Sequence, residues 1–138
     1  MSADCIFCRI INGSLPSYKI YEDELFVAFF DIYPKCIGHT LIVPKKHCAN
    51  FYDLPKETAS ALMPAAQSVA RRLRQVLNFD GLNVLQNNGE AAGQTVFHYH
   101  LQLIPRYKND GTFFGWKTVK PSDEEFMQLQ EKILKINN

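Results

Sequence analysis

Between Val96 and Ile104 the chain reads Val-Phe-His-Tyr-His-Leu-Gln-Leu-Ile, a run without a breaker that Pro105 closes. Its β-branched, aromatic and aliphatic residues predict a buried strand. Side chains on a strand alternate between faces, which would put His98, His100 and Gln102 together on one side. Polar groups in a row on an apolar strand are costly to bury unless each meets a hydrogen-bonding group, a metal or a ligand. The fold must therefore bring partners to that face.

The rest of the chain supplies a sheet and two long helical segments. Residues 5–13 hold apolar side chains at Ile6, Phe7, Ile10 and Ile11 before Asn12-Gly13, which predicts a short helix or knuckle. Residues 18–21 and 25–30 read as a hairpin across Glu22-Asp23-Glu24, and residues 39–43 as a third strand ended by Pro44. From Asp53 onward, Leu62, Ala65, Ala66, Val69, Leu73, Val76 and Leu77 recur at three- and four-residue spacing, the pattern of an amphipathic helix. Pro64 should kink that helix or mark the first turn of its main part. Residues 82–86 are a fourth strand, and Asn87 to Gly93 a turn-rich loop delivering the chain to the histidines. Ser122, with Glu125 three positions on, caps a last helix through Phe126, Leu129 and Ile133. A hairpin-rich sheet with two helices makes one α+β domain spanning residues 1–138.

Composition narrows the function. With 138 residues, 46% hydrophobic and 21% charged, the chain has globular composition. Its net charge of +1 gives no broad basic field for nucleic acid, so a partner must be recognised at a local site. The sequence shows neither a membrane-length apolar run nor a signal peptide, and the expectation is a cytoplasmic protein. In that reducing compartment the four cysteines point to thiols or metal ligation.

Three groups of residues suggest chemistry. Cys5 and Cys8 have the spacing of half a zinc site, and His47 and His98 are the candidates to complete a closed, structural Cys2His2 tetrahedron. The simpler alternative is a helix start with two small buried thiols. Neutral histidine is a nucleophile that can attack phosphorus, and Asn87, Gln94 and Thr95 in the preceding loop offer donors for phosphate oxygens; satisfied core histidines are the competing reading. Phe7, Ile10, Phe29 and Ile32 beside Asp31 form either ordinary core or an apolar slot for a base, with a carboxylate for the ribose hydroxyls. Phe113, Phe114 and Trp116 are local packing or an interface.

The segment from Gly93 to Ile104 closely resembles the signature of the histidine triad (HIT) family, His-x-His-x-His followed by two apolar residues. Cys5-Ile6-Phe7-Cys8, Phe29-Phe30-Asp31-Ile32, the run from Gly38 to His47, and Asn87-Asn88-Gly89 extend the likeness along nearly the whole chain. The resemblance implies a HIT-like fold, with an antiparallel sheet of about five strands, a long helix and a C-terminal helix, in a homodimer whose sheets join across the interface. It implies a nucleotidyl hydrolase or transferase that forms a nucleotidyl-histidine on His100, with a backbone carbonyl orienting the other ring nitrogen. Family positions for base and ribose fall on Ile6, Phe7, Ile10, Phe29, Asp31 and Ile32; those for phosphate fall on Asn87, Gln94 and Thr95. His39 matches an additional active-site histidine. Zinc-containing members are similar at Cys5, Cys8, His47 and His98, and the region around Trp116 is expected near the partner subunit.

One position departs from the pattern. Gln102 replaces the third histidine, which resembles the His-x-His-x-Gln branch of nucleotidyl transferases and phosphorylases. Its amide, unlike an imidazole, takes up no proton near pH 7 but can donate to a phosphoryl oxygen. Hydrolase and transferase therefore both remain open. The alternative from another class is a catalytically weak nucleotide-binding regulatory or scaffold protein.

Overall fold

The computed structural model describes residues 4–112 and 116–137. In chain order come helix α1 (Ile6–Ile11), strands β1 (Lys19–Glu22), β2 (Phe26–Phe30) and β3 (Thr40–Pro44), helix α2 (Lys56–Leu77), strands β4 (Gly81–Leu85) and β5 (Leu101–Arg106), and helix α3 (Asp123–Leu134). The five strands form one antiparallel sheet in the order β1-β2-β3-β5-β4. This is the α+β architecture the pattern predicts.

Alternation along the strands builds two apolar layers. Phe26, Ala28, Ile42, Leu101 and Leu103 point to one face, where Leu62, Ala65, Ala66, Val69 and Leu73 of α2 cover them. Val27, Phe29, Leu41 and Val43 point to the other, where Phe7 of α1 packs. Each large side chain buried this way contributes roughly 1.5 to 3 kcal/mol. The first hairpin turns without Asn-Gly because Asp23 Oδ1 accepts from the main-chain N–H of Leu25 at 2.8 Å and of Phe26 at 2.7 Å.

Of the two readings of Pro64, the first-turn one is excluded: it lies inside α2, eight positions past Lys56, on the exposed side, as does Ser60, whose carbonyl loses its usual helical partner. Pro105 lies within β5, opposite Leu82 of β4. Its carbonyl accepts from Cys36 Sγ at 3.2 Å, so its missing N–H lies on the β3 side, beyond Thr40 where β3 begins.

The strand expected from Val96 begins only at Leu101. Pairing with β3 covers Leu101 to Leu103, and β3 ends at Pro44, whose carbonyl meets the ring of His98. Farther back, the Tyr99 N–H donates to Cys48 O at 2.7 Å. The two-residue alternation persists all the same, since Tyr99 and Leu101 enter the α2 layer while His98 and His100 face Phe7.

Ser122 and Glu125 form the expected capping box on α3. None of that helix is buried: Phe126, Leu129 and Ile133 are 57 to 58% exposed, and Trp116 is 79% exposed. Phe113 and Phe114, the rest of the aromatic cluster, lie outside the described residues. Val76 also departs from the α2 stripe and is exposed. Among the described residues no helix is long and apolar enough to cross a membrane.

Candidate active site and metal centre

At one corner of the site four side chains from three distant segments converge. Cys5 caps α1, its Sγ accepting from the Cys8 N–H at 3.5 Å, which sets both sulfurs on one side of the first turn. His47 follows the exit from β3, and His98 precedes β5. Cys5 Sγ lies 3.3 Å from His98 Nδ1, Cys8 Sγ lies 3.3 Å from His47 Nδ1 and 3.6 Å from His98 Nδ1, and the two Nδ1 atoms are 3.1 Å apart. Bonds of about 2.0 Å to nitrogen and about 2.3 Å to sulfur around one ion give tetrahedron edges of roughly 3.3 to 3.8 Å. The four separations given above come within about 0.2 Å of that range, and the four donor atoms, all within 4.8 Å of one another, could hold a metal ion. His98 Nε2–H donates to Pro44 O at 2.8 Å, leaving the Nδ1 lone pair for the cluster. Burial pushes the His98 imidazole down to about 4 and keeps that lone pair free.

Two residues on, His100 is tied by its other nitrogen. Nδ1–H donates to the His98 carbonyl at 2.8 Å, so the lone pair lies on Nε2. Burial lowers the His100 pKa and favours the neutral ring. The imidazole meets Phe7 edge-on with centroids 5.1 Å apart, and Phe7 meets Phe29 at 5.6 Å. Phe7 and Phe29 are buried core rings with Ile10 packed against them, while Ile6 and Ile32 are 42% and 63% exposed. Asp31, just after β2, accepts from the Tyr33 N–H through Oδ1 at 2.9 Å, and its Oδ2 lies 3.8 Å from His39 Nε2.

At the far end of the row, His39 and Gln102 are both buried. His39 Nε2 lies 2.9 Å from Gln102 Oε1, and His39 Nδ1 accepts from the Lys35 N–H at 3.1 Å. Burial again lowers the imidazole pKa. Gly38 places His39 there: its φ of +91° is foreign to L side chains, and a Cβ on it would run into Leu77.

The loop residues expected at phosphate differ in what they can offer. Both N–H groups of the Gln94 amide are taken within the protein, donating to Ala49 O at 2.7 Å and Val96 O at 3.2 Å, while its oxygen accepts from the Gly89 N–H at 2.8 Å. The side chains of Asn87 and Thr95 make no hydrogen bond among the described residues, and Thr95 is exposed. Cys36 and Cys48 stand apart from the metal cluster. A main-chain carbonyl behind the His100 ring is what the sequence reading expects, and His98 supplies it; the Lys35 N–H behind His39 and the Pro44 carbonyl behind His98 lie outside that reading. A strand-ending proline just before His47 was the one available signal, because its carbonyl needs a donor from elsewhere.

The HIT domain family model matches residues 12–109. A crystal structure of a HIT family member from Bacillus subtilis superposes with a TM-score of 0.91 at 44% identity, covering 98% of each chain. A zinc-bound histidine triad family protein from Mycobacterium smegmatis gives a TM-score of 0.76 at 39% identity, over 94% of this chain and 97% of that one. The adenosine 5'-monophosphoramidase of Saccharomyces cerevisiae is 40% identical over 135 residues, 97% of this chain and 83% of its own. The chain belongs to the HIT family.

Proposed function

We propose that this protein is a nucleotidyl hydrolase or transferase acting at the α-phosphorus of an adenylated or similar nucleoside phosphate derivative, through a nucleotidyl-histidine on His100. The observation carrying the proposal is the tie from His100 Nδ1–H to the His98 carbonyl, which leaves Nε2 as the free nucleophile beside the apolar slot. The base lies against Phe7, Phe29 and Ile10, with Ile6 and Ile32 at the rim, and Asp31 accepts from the ribose hydroxyls. The Nε2 lone pair attacks phosphorus in line, forming a P–N bond as the bond to the leaving group breaks. The leaving group departs with that electron pair and takes a proton from solvent. Positive charge gained by the ring strengthens the Nδ1–H bond to the carbonyl. Water, or another acceptor, then attacks phosphorus and loses a proton, and the P–N electrons return to Nε2.

Asn87, Thr95 and Gln102 donate to the phosphoryl oxygens, each worth roughly 3 kcal/mol in the transition state. Gln94 contributes by holding the loop in place, since its own groups are spent. Cys5, Cys8, His47 and His98 would hold zinc, which would cross-link α1 to the approach of β5 in a structural role. The protein works as a homodimer, which the exposed apolar face of α3 and the strand β4, hydrogen-bonded on one side only, both support.

Incubation with adenosine 5'-phosphoramidate tests the reading. Release of AMP, with an adenylyl adduct on His100 in rapidly quenched samples analysed by mass spectrometry, is the expected result. Turnover without that adduct overturns the covalent route, and AMP binding without turnover of any adenylated substrate overturns the enzyme. Light scattering should give the mass of two chains, and metal analysis about one zinc per chain.

A further inference from the structure

We propose that His39 is a positioning residue that locks the Gln102 amide in one of its two flips, so that the NH2 group and not the carbonyl oxygen is presented to the phosphoryl group. The inference rests on the reaction proposed above and assigns His39 a role in it.

The argument starts from a group that has no choice. A main-chain N–H can only donate, and the Lys35 N–H points at His39 Nδ1 from 3.1 Å. Nδ1 is therefore the acceptor, and the neutral ring carries its proton on Nε2. That Nε2–H lies 2.9 Å from the Gln102 amide, while Asp31 Oδ2, at 3.8 Å, is beyond hydrogen-bonding range. The Gln102 amide must meet the N–H with its oxygen, because the flipped amide would set two donors against each other.

Flip assignments of amides usually rest on weighing alternatives. Here the backbone decides. With Oε1 held, Gln102 Nε2 is directed away from His39, and it makes no hydrogen bond among the described residues. No buried side-chain polar atom lacks a partner there, so this nitrogen reaches solvent. Gln102 lies two positions beyond His100 in the segment whose even-numbered side chains face the site. A glutamine turning freely would spend part of its time with a carbonyl oxygen facing anionic phosphate. The row from the Lys35 N–H through His39 to Gln102 removes that unproductive state.

Kinetics and spectroscopy of the zinc-loaded full chain separate this from a merely structural role. His39→Ala should lower kcat by at least about tenfold with KM for adenosine 5'-phosphoramidate changed less than twofold. His39→Gln, which keeps a donor toward Gln102, should recover most of the loss. In a Gln102→Ala background, His39→Ala should cost less than about twofold more, because nothing is left to orient. Losses that multiply across the two sites, or a change confined to KM, overturn the proposal.

Two measurements hold even without turnover or if the alanine variant fails to fold. Nitrogen-15 NMR of wild-type protein should find His39 as the Nε2–H tautomer, and the side-chain NH2 signals of Gln102 should shift when AMP is added. The opposite tautomer, or unmoved Gln102 signals with AMP bound by calorimetry, overturns the assignment. Absence of turnover in wild type with those signals present removes the enzymatic reading and leaves the locked amide standing.

Discussion

His98 and His100 face the same side of the sheet, yet they offer opposite nitrogens. His98 spends Nε2 on the Pro44 carbonyl and turns Nδ1, the nitrogen nearer the backbone, toward two thiols and His47. His100 spends Nδ1 on the carbonyl of His98 and extends Nε2, the farther nitrogen, beside Phe7. Burial holds both rings neutral, so charge does not distinguish them. Residue type and face bring a histidine to a site, and the main-chain acceptor it finds decides which atom it presents.

The sharpest test of that contrast is at His100. His100→Ala and His100→Asn should both lower turnover by roughly 10³-fold or more, the second because asparagine keeps a donor near the Nδ1 position but supplies no nucleophile at Nε2. Calorimetry should show AMP still binding; a loss within tenfold would erase the difference between the two rings.

His98→Ala should act on the fold first. It removes a metal ligand and leaves the Pro44 carbonyl without its donor, a cost of about 3 kcal/mol or more. Thermal melts with and without chelator should show the wild type losing stability on chelation and the variant scarcely responding. Gly38→Ala, which forces a Cβ into Leu77 at a positive φ, should cost about 1 to 3 kcal/mol and displace His39 from both its partners.

The smallest effect is a pH dependence at the third histidine. His39 is buried and neutral, with its folded pKa below the ordinary value near 6.5. Below about 6.5 the unfolded chain takes up a proton that the folded chain refuses, so stability is fully present above that pH and falls as pH drops toward the folded value. Urea midpoints of zinc-loaded protein at pH 7.5 and 5.5 should differ more in the wild type than in His39→Gln. Equal differences would show that His39 does not titrate on unfolding.

How much of this was legible depended on whether a group's role is carried by its side chain. Sheet, long helix and the capping box on α3 followed from periodicity and from Ser122 and Glu125, which act locally. Cys5, Cys8, His47 and His98 could be grouped because thiol and imidazole types narrow the chemistry before geometry is known. Gln94 looked like a phosphate donor by type, and only its three bonds to Ala49, Val96 and Gly89 reveal that it is spent. Helices α2 and α3 share an amphipathic pattern, but one apolar face is buried against the sheet and the other is open to water. Periodicity says that a face needs covering and is silent about by what. Of two prolines expected to end strands, Pro44 does end β3 while Pro105 lies inside β5, because a proline breaks a ladder only where a neighbouring strand requires its N–H.

The backbone origin of the three histidine settings has a consequence for inheritance. The Lys35 N–H, the Pro44 carbonyl and the His98 carbonyl belong to the main chain, so nearly any codon change at those positions leaves the partner atom chemically intact. Only proline at position 35 would delete its group outright. The protonation pattern of the site is thus a small target for point mutation and a large one for insertions or deletions, which move the chain's path.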